Sequence, residues 1–258
     1  MKKILAIIIM ITGFVPNLSA SAGGDLGEIQ AVVQKYFDGT SQGKPDLVRE
    51  AFLPSLELQF VGGEGELRRR RGADYIDGIK VGEANDRVSR LVSVDFTDNA
   101  AIAKAEITSG DRLFTDYLLL LKLKEGWRIS NKAFTRGTDV DEKEFTAVNL
   151  AVRKYFDGTE QGKPELVAEA FLPSLEIQYV NNDGELGRFT APDYIARITP
   201  GKPYNRKGHV VSVDVTDNAA VVKAEIIMGD RLFTDYLLLL KVNGEWRASN
   251  KIATNRKK

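Results

Sequence analysis

Apolar residues recur at helical spacing where each half of the chain opens. Ile29, Val32, Val33, Tyr36 and Phe37 stand three or four positions apart and form one stripe. Val148, Ala151, Val152, Tyr155 and Phe156 draw the same stripe again. A helix is predicted at each place, broken by Asp38-Gly39-Thr40 and by Asp157-Gly158-Thr159. Pro45 and Pro164 each predict a second helix, because the first helical position has no use for the N–H that proline lacks. That helix presents Leu47, Val48, Ala51 and Phe52, and Leu53-Pro54-Ser55 closes it. A strand over 56–61 turns at Gly62-Gly63-Glu64-Gly65, and a third, short helix is predicted over 74–79 and 193–198. Strands are then predicted over 91–96, 100–108, 113–123 and 127–134, parted by tight polar turns. In the second half the last of these turns is Asn243-Gly244, a strong hairpin signal. Helices first and antiparallel strands after make an α+β module.

The two halves are copies. The segment 110–122 returns unchanged as 229–241, an offset of 229 − 110 = 119. Tyr36 with Tyr155, Phe52 with Phe171 and Trp127 with Trp246 keep the same offset. The chain is therefore a tandem duplication of one compact unit, with modules over 23–138 and 142–258. The strand over 113–121 is apolar at nearly every position, whereas a sheet with one wet face alternates. Both faces of the sheet are expected to be covered. The helices cover one. The sister module's sheet covers the other, as a pseudo-dimer within the chain, or else the outer faces pair between chains in a homo-oligomer.

Residues 1–22 read as a cleavable export signal. Lys2 and Lys3 precede an apolar stretch over 4–15, and Ala20-Ser21-Ala22 offers a small-x-small cleavage site. The stretch is too short to span a bilayer comfortably, so periplasmic or secreted placement is expected, without stable membrane insertion. Basic and acidic residues balance at 36 each, which gives no global pull toward nucleic acid. The chain has no cysteine, which excludes disulfides, thiolate nucleophiles and cysteine metal sites. A single histidine, His209, excludes a multi-histidine zinc centre and a histidine-based triad in both copies. No cofactor motif or metal-ligand spacing is present.

Val33-Gln34-Lys35-Tyr36-Phe37 at the start and Trp127-Arg128-Ile129-Ser130-Asn131-Lys132 at the end, in the order helix-helix-strand-helix-strands, resemble the nuclear transport factor 2-like superfamily. The Tyr-Phe-Asp-Gly start, the Ala-Phe-Leu-Pro step, the Phe-Thr-Asp-Tyr-Leu strand and the Trp-Arg-x-Ser-Asn-Lys end are similar to its exported, putative lumazine-binding subfamily. The resemblance implies two tandem cones, each a curved antiparallel sheet wrapped on three helices with an apolar pocket at the open end. Such folds serve isomerases, dehydratases, hydrolases, cyclases and non-enzymatic binding domains, so the fold alone selects no function.

Against ketosteroid isomerase, a member of that superfamily, Tyr36 and Tyr155 match the helix tyrosine. Asp116 and Asp235 match the strand acid that acts as an oxyanion donor there; that enzyme is a standard example of pKa tuning. The general-base position holds Phe60 in one copy and Tyr179 in the other, which places isomerase chemistry in doubt. Strand alternation sets Asp116 on one face with Phe114, Leu118 and Leu120, where a carboxylate is costly to ionise unless a donor pairs with it. Phe233 and Asp235 repeat the arrangement. Two readings stay open: tyrosine and aspartate hydrogen-bond to a ligand oxygen at the pocket floor, or they satisfy each other and fix the cone. Tyr75 and Tyr194 either line the pocket mouth or pack helix to sheet. Arg68-Arg69-Arg70-Arg71 is expected as a solvated sheet edge. The residues favour a binding module for a small apolar or aromatic molecule. The alternatives are an enzyme of the dehydratase, cyclase or isomerase type using Asp116 and Asp235, and an assembly role through the outer sheet face.

Overall fold

The computed structural model describes residues 24–139 and 141–258, so the export signal expected over 1–22 lies outside the described residues. Module 1 runs α1 (Gly24–Ser41), α2 (Pro45–Ala51), β1 (Glu57–Val61), β2 (Leu67–Arg71), α3 (Gly72–Asp77), β3 (Val88–Thr97), β4 (Ala100–Ser109), β5 (Arg112–Leu123) and β6 (Gly126–Thr135). Module 2 repeats it as α4 (Glu142–Gln161), α5 (Pro164–Ala170), β7 (Phe171–Val180), β8 (Leu186–Thr190), α6 (Ala191–Ile195), β9 (Arg206–Thr216), β10 (Ala219–Met228), β11 (Arg231–Val242) and β12 (Glu245–Lys257). The strands form two six-stranded sheets, ordered β2-β1-β6-β5-β4-β3 and β8-β7-β12-β11-β10-β9. The arginine run forms most of β2, an edge strand, and Arg68, Arg69 and Arg71 pair with Glu66, Glu57 and Asp74.

The first helix does not break at Asp38-Gly39-Thr40 but runs on to Ser41. Gly39 is needed for contact, not for a turn. A Cβ there would meet Val48 Cγ2 at 2.5 Å and the Lys44 carbonyl at 2.9 Å, so glycine lets α2 lie against α1. Thr40 Oγ1 donates back to the Tyr36 and Phe37 carbonyls, which keeps the segment helical. The stop comes at Gly43, whose φ of +65° suits glycine. Gly158 and Gly162 repeat both devices.

Alternation along β5 divides the interior in two. Leu118 and Leu120 face α1 and α2 in the module core. Tyr117, Leu119 and Leu121 face the other way and meet Tyr236, Leu238 and Leu240 of the sister sheet. The two outer faces thus cover each other within one chain, which explains an antiparallel strand with no polar face. The face that an assembly role would have used is occupied.

Polar contacts rim this interface with pseudo-twofold symmetry. Tyr117 and Lys104 both donate to Asp214, the latter at 2.7 Å. Tyr236 and Lys223 both donate to Asp95, the latter at 2.6 Å. Burial raises both tyrosines' pKa values well above 10, and the carboxylate each one faces adds to the effect, so both phenols stay protonated as donors.

Candidate functional site

Tyr36 faces the sheet because it lies on the apolar stripe of α1, and it is wholly buried. Asp116 lies on the core-facing side of β5, opposite Ala105 of β4, whose small side chain leaves the carboxylate room. The Tyr36 hydroxyl donates to Asp116 Oδ2 at 2.8 Å. Tyr155 and Asp235 repeat the bond at 2.9 Å. Both phenols have pKa values raised well above 10: burial is the main cause, and the neighbouring aspartate adds to it in each copy.

The partner that sequence reasoning missed is a lysine. Trp127 and Ile129 of β6 face the module core, so simple alternation sends Lys132 to the opposite face. A β-bulge intervenes: Leu119 pairs with Asn131 and Leu120 with Ile129, leaving Ser130 as the extra residue. Ser130 Oγ anchors it by donating to the Leu119 carbonyl at 3.3 Å. Beyond the bulge the parity is reversed, so Ala133 packs on the sister sheet and Lys132 points inward. Its Nζ donates to the Tyr36 hydroxyl at 2.7 Å and forms an ion pair with Asp116 Oδ2, with the lysine side chain only 4% exposed. Ser249 does the same for Lys251, which reaches Asp235 at 2.6 Å and Tyr155 at 3.0 Å. A lysine embedded in an apolar strand directly after Ser-Asn was the available sequence signal.

An arginine completes the cluster. Arg87 donates to the Tyr36 hydroxyl at 2.9 Å, and Arg206 donates to Tyr155. Each phenol oxygen thus accepts from a lysine and an arginine while donating to an aspartate. The formal charge of each quartet is +1, from two cations and one carboxylate. In module 1 both donors reach the same carboxylate oxygen, and Asp116 Oδ1 and Arg87 Nε are buried without a partner among the described residues. An unpaired buried acceptor costs about 1–3 kcal/mol, so this edge of the cluster is the one suited to a further donor.

The remaining candidates surround the quartet. Tyr75 stacks on Phe52 with ring centroids 6.2 Å apart, and Lys132 lies 6.0 Å from the Tyr75 ring centre. Phe60 packs on Phe134 at 4.6 Å, and Phe134 in turn meets Phe114 at 6.2 Å and Lys132 at 5.2 Å. In module 2 the Tyr194 hydroxyl lies 3.5 Å from that of Tyr155, and Tyr179 stacks on Phe189 at 5.4 Å. Phe233 is half-buried at the edge of the module 2 core. Trp127 and Trp246 are core anchors, and their indole N–H groups donate to Asp25 and Glu144. His209 is exposed on β9, 3.5 Å from Glu225.

A recess of about 440 Å³ opens beside the module 1 quartet, with Thr40, Arg70, Tyr75, Gly78, Asn85 and Arg87 in its wall. In module 2 a recess of about 300 Å³ lies elsewhere, between α4 and β9 at Arg153, Phe156 and His209. Among the described residues no helix is long and apolar enough to cross a membrane.

A family model described as Putative lumazine-binding matches residues 25–135 and again residues 143–252. A curated relative, the aldolase FrzH of Cladobotryum, is 26% identical over 117 residues, covering 44% of this chain and 92% of that protein. Among solved structures, an NTF2-like protein from Shewanella baltica is 23% identical, spans 46% of this chain and 100% of its own, and superposes with a TM-score of 0.42. A ketosteroid isomerase-like protein from Erwinia carotovora atroseptica is 14% identical, spans 44% and 96%, and gives 0.35.

Proposed function

We propose a function from the premise that this chain belongs, twice over, to the Putative lumazine-binding family. It is a small-molecule-binding protein built from two tandem nuclear transport factor 2-like modules. The observation that carries this reading is the Arg87–Tyr36–Asp116–Lys132 cluster, which has one carboxylate oxygen unpartnered and shares Arg87 with the wall of the neighbouring recess. The recess wall is mostly polar, with Tyr75 as its one aromatic residue, in place of the apolar pocket that the resemblance implies. Buried, mutually fixed polar groups beside such a wall orient a ligand at little entropic cost.

Binding is favoured over chemistry because the carboxylate already accepts from a phenol and an ammonium, and the isomerase base position is aromatic in both copies. A catalytic reading has one observation in its favour, the inward lysines Lys132 and Lys251, in a chain 26% identical over 44% of its length to a protein named as an aldolase. The deciding experiment is native mass spectrometry of protein purified from its own host, followed by Asp116→Asn with Asp235→Asn. Co-purification of a small molecule supports binding. Turnover lost with ligand affinity kept supports catalysis, and protein that carries no small molecule argues against a binding role.

Export is part of the proposal and rests on Lys2, Lys3, the apolar stretch and Ala20-Ser21-Ala22. Amino-terminal sequencing of the native protein tests it, with a start at Gly23 expected and a start at Met1 against it.

A further inference from the structure

The positions that border the module 1 recess have counterparts in module 2 that make different contacts. In module 1, Asn85, Gly78 and Lys80 border the recess from different sides. The Asn85 side chain donates to the carbonyl of Thr40, another residue of the wall, at 2.8 Å. The counterparts in module 2 are Tyr204, Arg197 and Thr199. The Tyr204 hydroxyl accepts from the Thr199 amide at 3.1 Å and lies 3.3 Å from Thr199 Oγ1 and 3.4 Å from the Arg197 carbonyl. Its ring therefore bridges walls that in module 1 enclose open space. Ile198 beneath it is buried, 8% exposed, and belongs to the core, whereas the equivalent Ile79 is only half-buried. A second bridge accompanies the first: the Arg197 guanidinium lies 3.9 Å over the Phe189 ring, where module 1 has Gly78 and Arg70.

The open mouth also has a chemical sign. Arg70 and Arg87 border it, and neither forms an ion pair with a carboxylate among the described residues. The one acidic residue in its wall, Glu83, is taken by Lys80 at 3.1 Å. The Arg70 guanidinium lies 5.4 Å over the Tyr75 ring, so arginine and aromatic ring share one wall. Arginines beside an aromatic wall suit a planar ligand bearing an oxyanion.

Resting on the binding role above, we propose that module 1 alone carries the ligand seat, for a small aromatic molecule with an anionic oxygen group. Tyr204 fills the equivalent seat in module 2. Binding is one molecule per chain, and module 2 serves as its structural partner.

The test uses the full chain and three probes: phenyl phosphate, benzoate and neutral benzyl alcohol. Isothermal titration gives the stoichiometry, and amide NMR shifts of Gly78 and Asn85 against Arg197 and Tyr204 give the place. One equivalent of either anion is expected, perturbing the module 1 amides, with benzyl alcohol at least about tenfold weaker, the weight of one charged hydrogen bond. Arg70→Gln should weaken the anions by a similar factor. Asn85→Tyr should abolish binding, and Tyr204→Asn combined with Arg197→Gly and Phe189→Arg, which removes both bridges and restores the arginine, should raise the stoichiometry to two. Two equivalents in the unaltered chain, shifts confined to module 2, equal binding of benzyl alcohol, or no binding of either anion would each overturn the proposal. Native mass spectrometry separates this failure from failure of the binding role. A co-purified neutral molecule, or two molecules per chain, sinks the proposal and leaves the role standing.

Discussion

Module 1 and module 2 keep the same floor and differ at the mouth. Tyrosine, aspartate, lysine and arginine occupy corresponding positions and make corresponding bonds in both copies. Loop 80–87 and its counterpart 199–206 share little, and one leaves a recess where the other lays a tyrosine across it. The difference separates two roles that a single copy would confound. A buried ion pair that recurs beneath both mouths holds the fold in both copies, and in module 1 the open recess beside it adds the binding role. Ligand choice belongs to what varies above it.

The largest expected effect tests the shared floor. Lys132→Met should cost about 3–5 kcal/mol, because it strands a buried carboxylate, and Lys251→Met should cost the same. Urea unfolding of the two variants makes the measurement. Pairing Lys132→Met with Asp116→Leu should recover most of the loss. Unequal costs in the two modules would break the claim that the floor is common ground.

Next come the glycines that bring paired helices together. Gly39→Ala and Gly158→Ala each force a Cβ against a valine methyl and a carbonyl, so about 1–3 kcal/mol should be lost to overpacking. The helix-propensity gain of about 1 kcal/mol does not reverse this. A stabilised variant in thermal melts would show that α1 and α2, or α4 and α5, can part cheaply.

At the interface, Tyr117→Phe removes bonds to Asp214 and Thr216 and Tyr236→Phe removes bonds to Asp95 and Thr97, an expected loss of about 1.5 kcal/mol apiece. Equal values in urea titrations would sharpen the pseudo-twofold; a clear inequality would break it.

The smallest effect is a pH dependence. The Lys122 ammonium and the Trp127 indole hold Asp25 below its ordinary pKa of 3.8, and Lys241 and Trp246 hold Glu144 below 4.5, with burial opposing in each case. Depressed carboxylate pKa values give stability that is complete above the unfolded values and is lost as pH falls through the folded ones. Chemical denaturation from pH 6 down to pH 3 should therefore show a decline beginning near 4.5. Asp25→Asn combined with Glu144→Gln should flatten it.

Much of the fold was legible from the residues. Leucines at both parities of β5 required two covered faces, and the 119-residue offset supplied the cover. The tyrosine-aspartate contact was one of two open readings, since a stripe position and a strand position can meet only if helix and sheet are stacked. Lys132 was not legible by counting, because one bulged serine reverses strand parity and alternation carries no mark of it. The helix through Gly39 was missed for a related reason. Glycine reads as a breaker locally, while here a second helix needs the space of its missing side chain. The filled mouth of module 2 needed coordinates, since one tyrosine among loop residues gives no sign of where its ring rests.

Residues 135–139, where the two modules join, are held in place: Thr135 Oγ1 donates to Asp217 at 2.6 Å, and the Asp217 amide donates to the Asp139 carbonyl at 2.7 Å. Such a tether replaces a bimolecular encounter with a permanent one, at an effective concentration that no dilution lowers. Two separate subunits would each have to keep both faces working at every dilution. Once they are fused, one copy is free to drift in its loops while the joined sheets hold it in service.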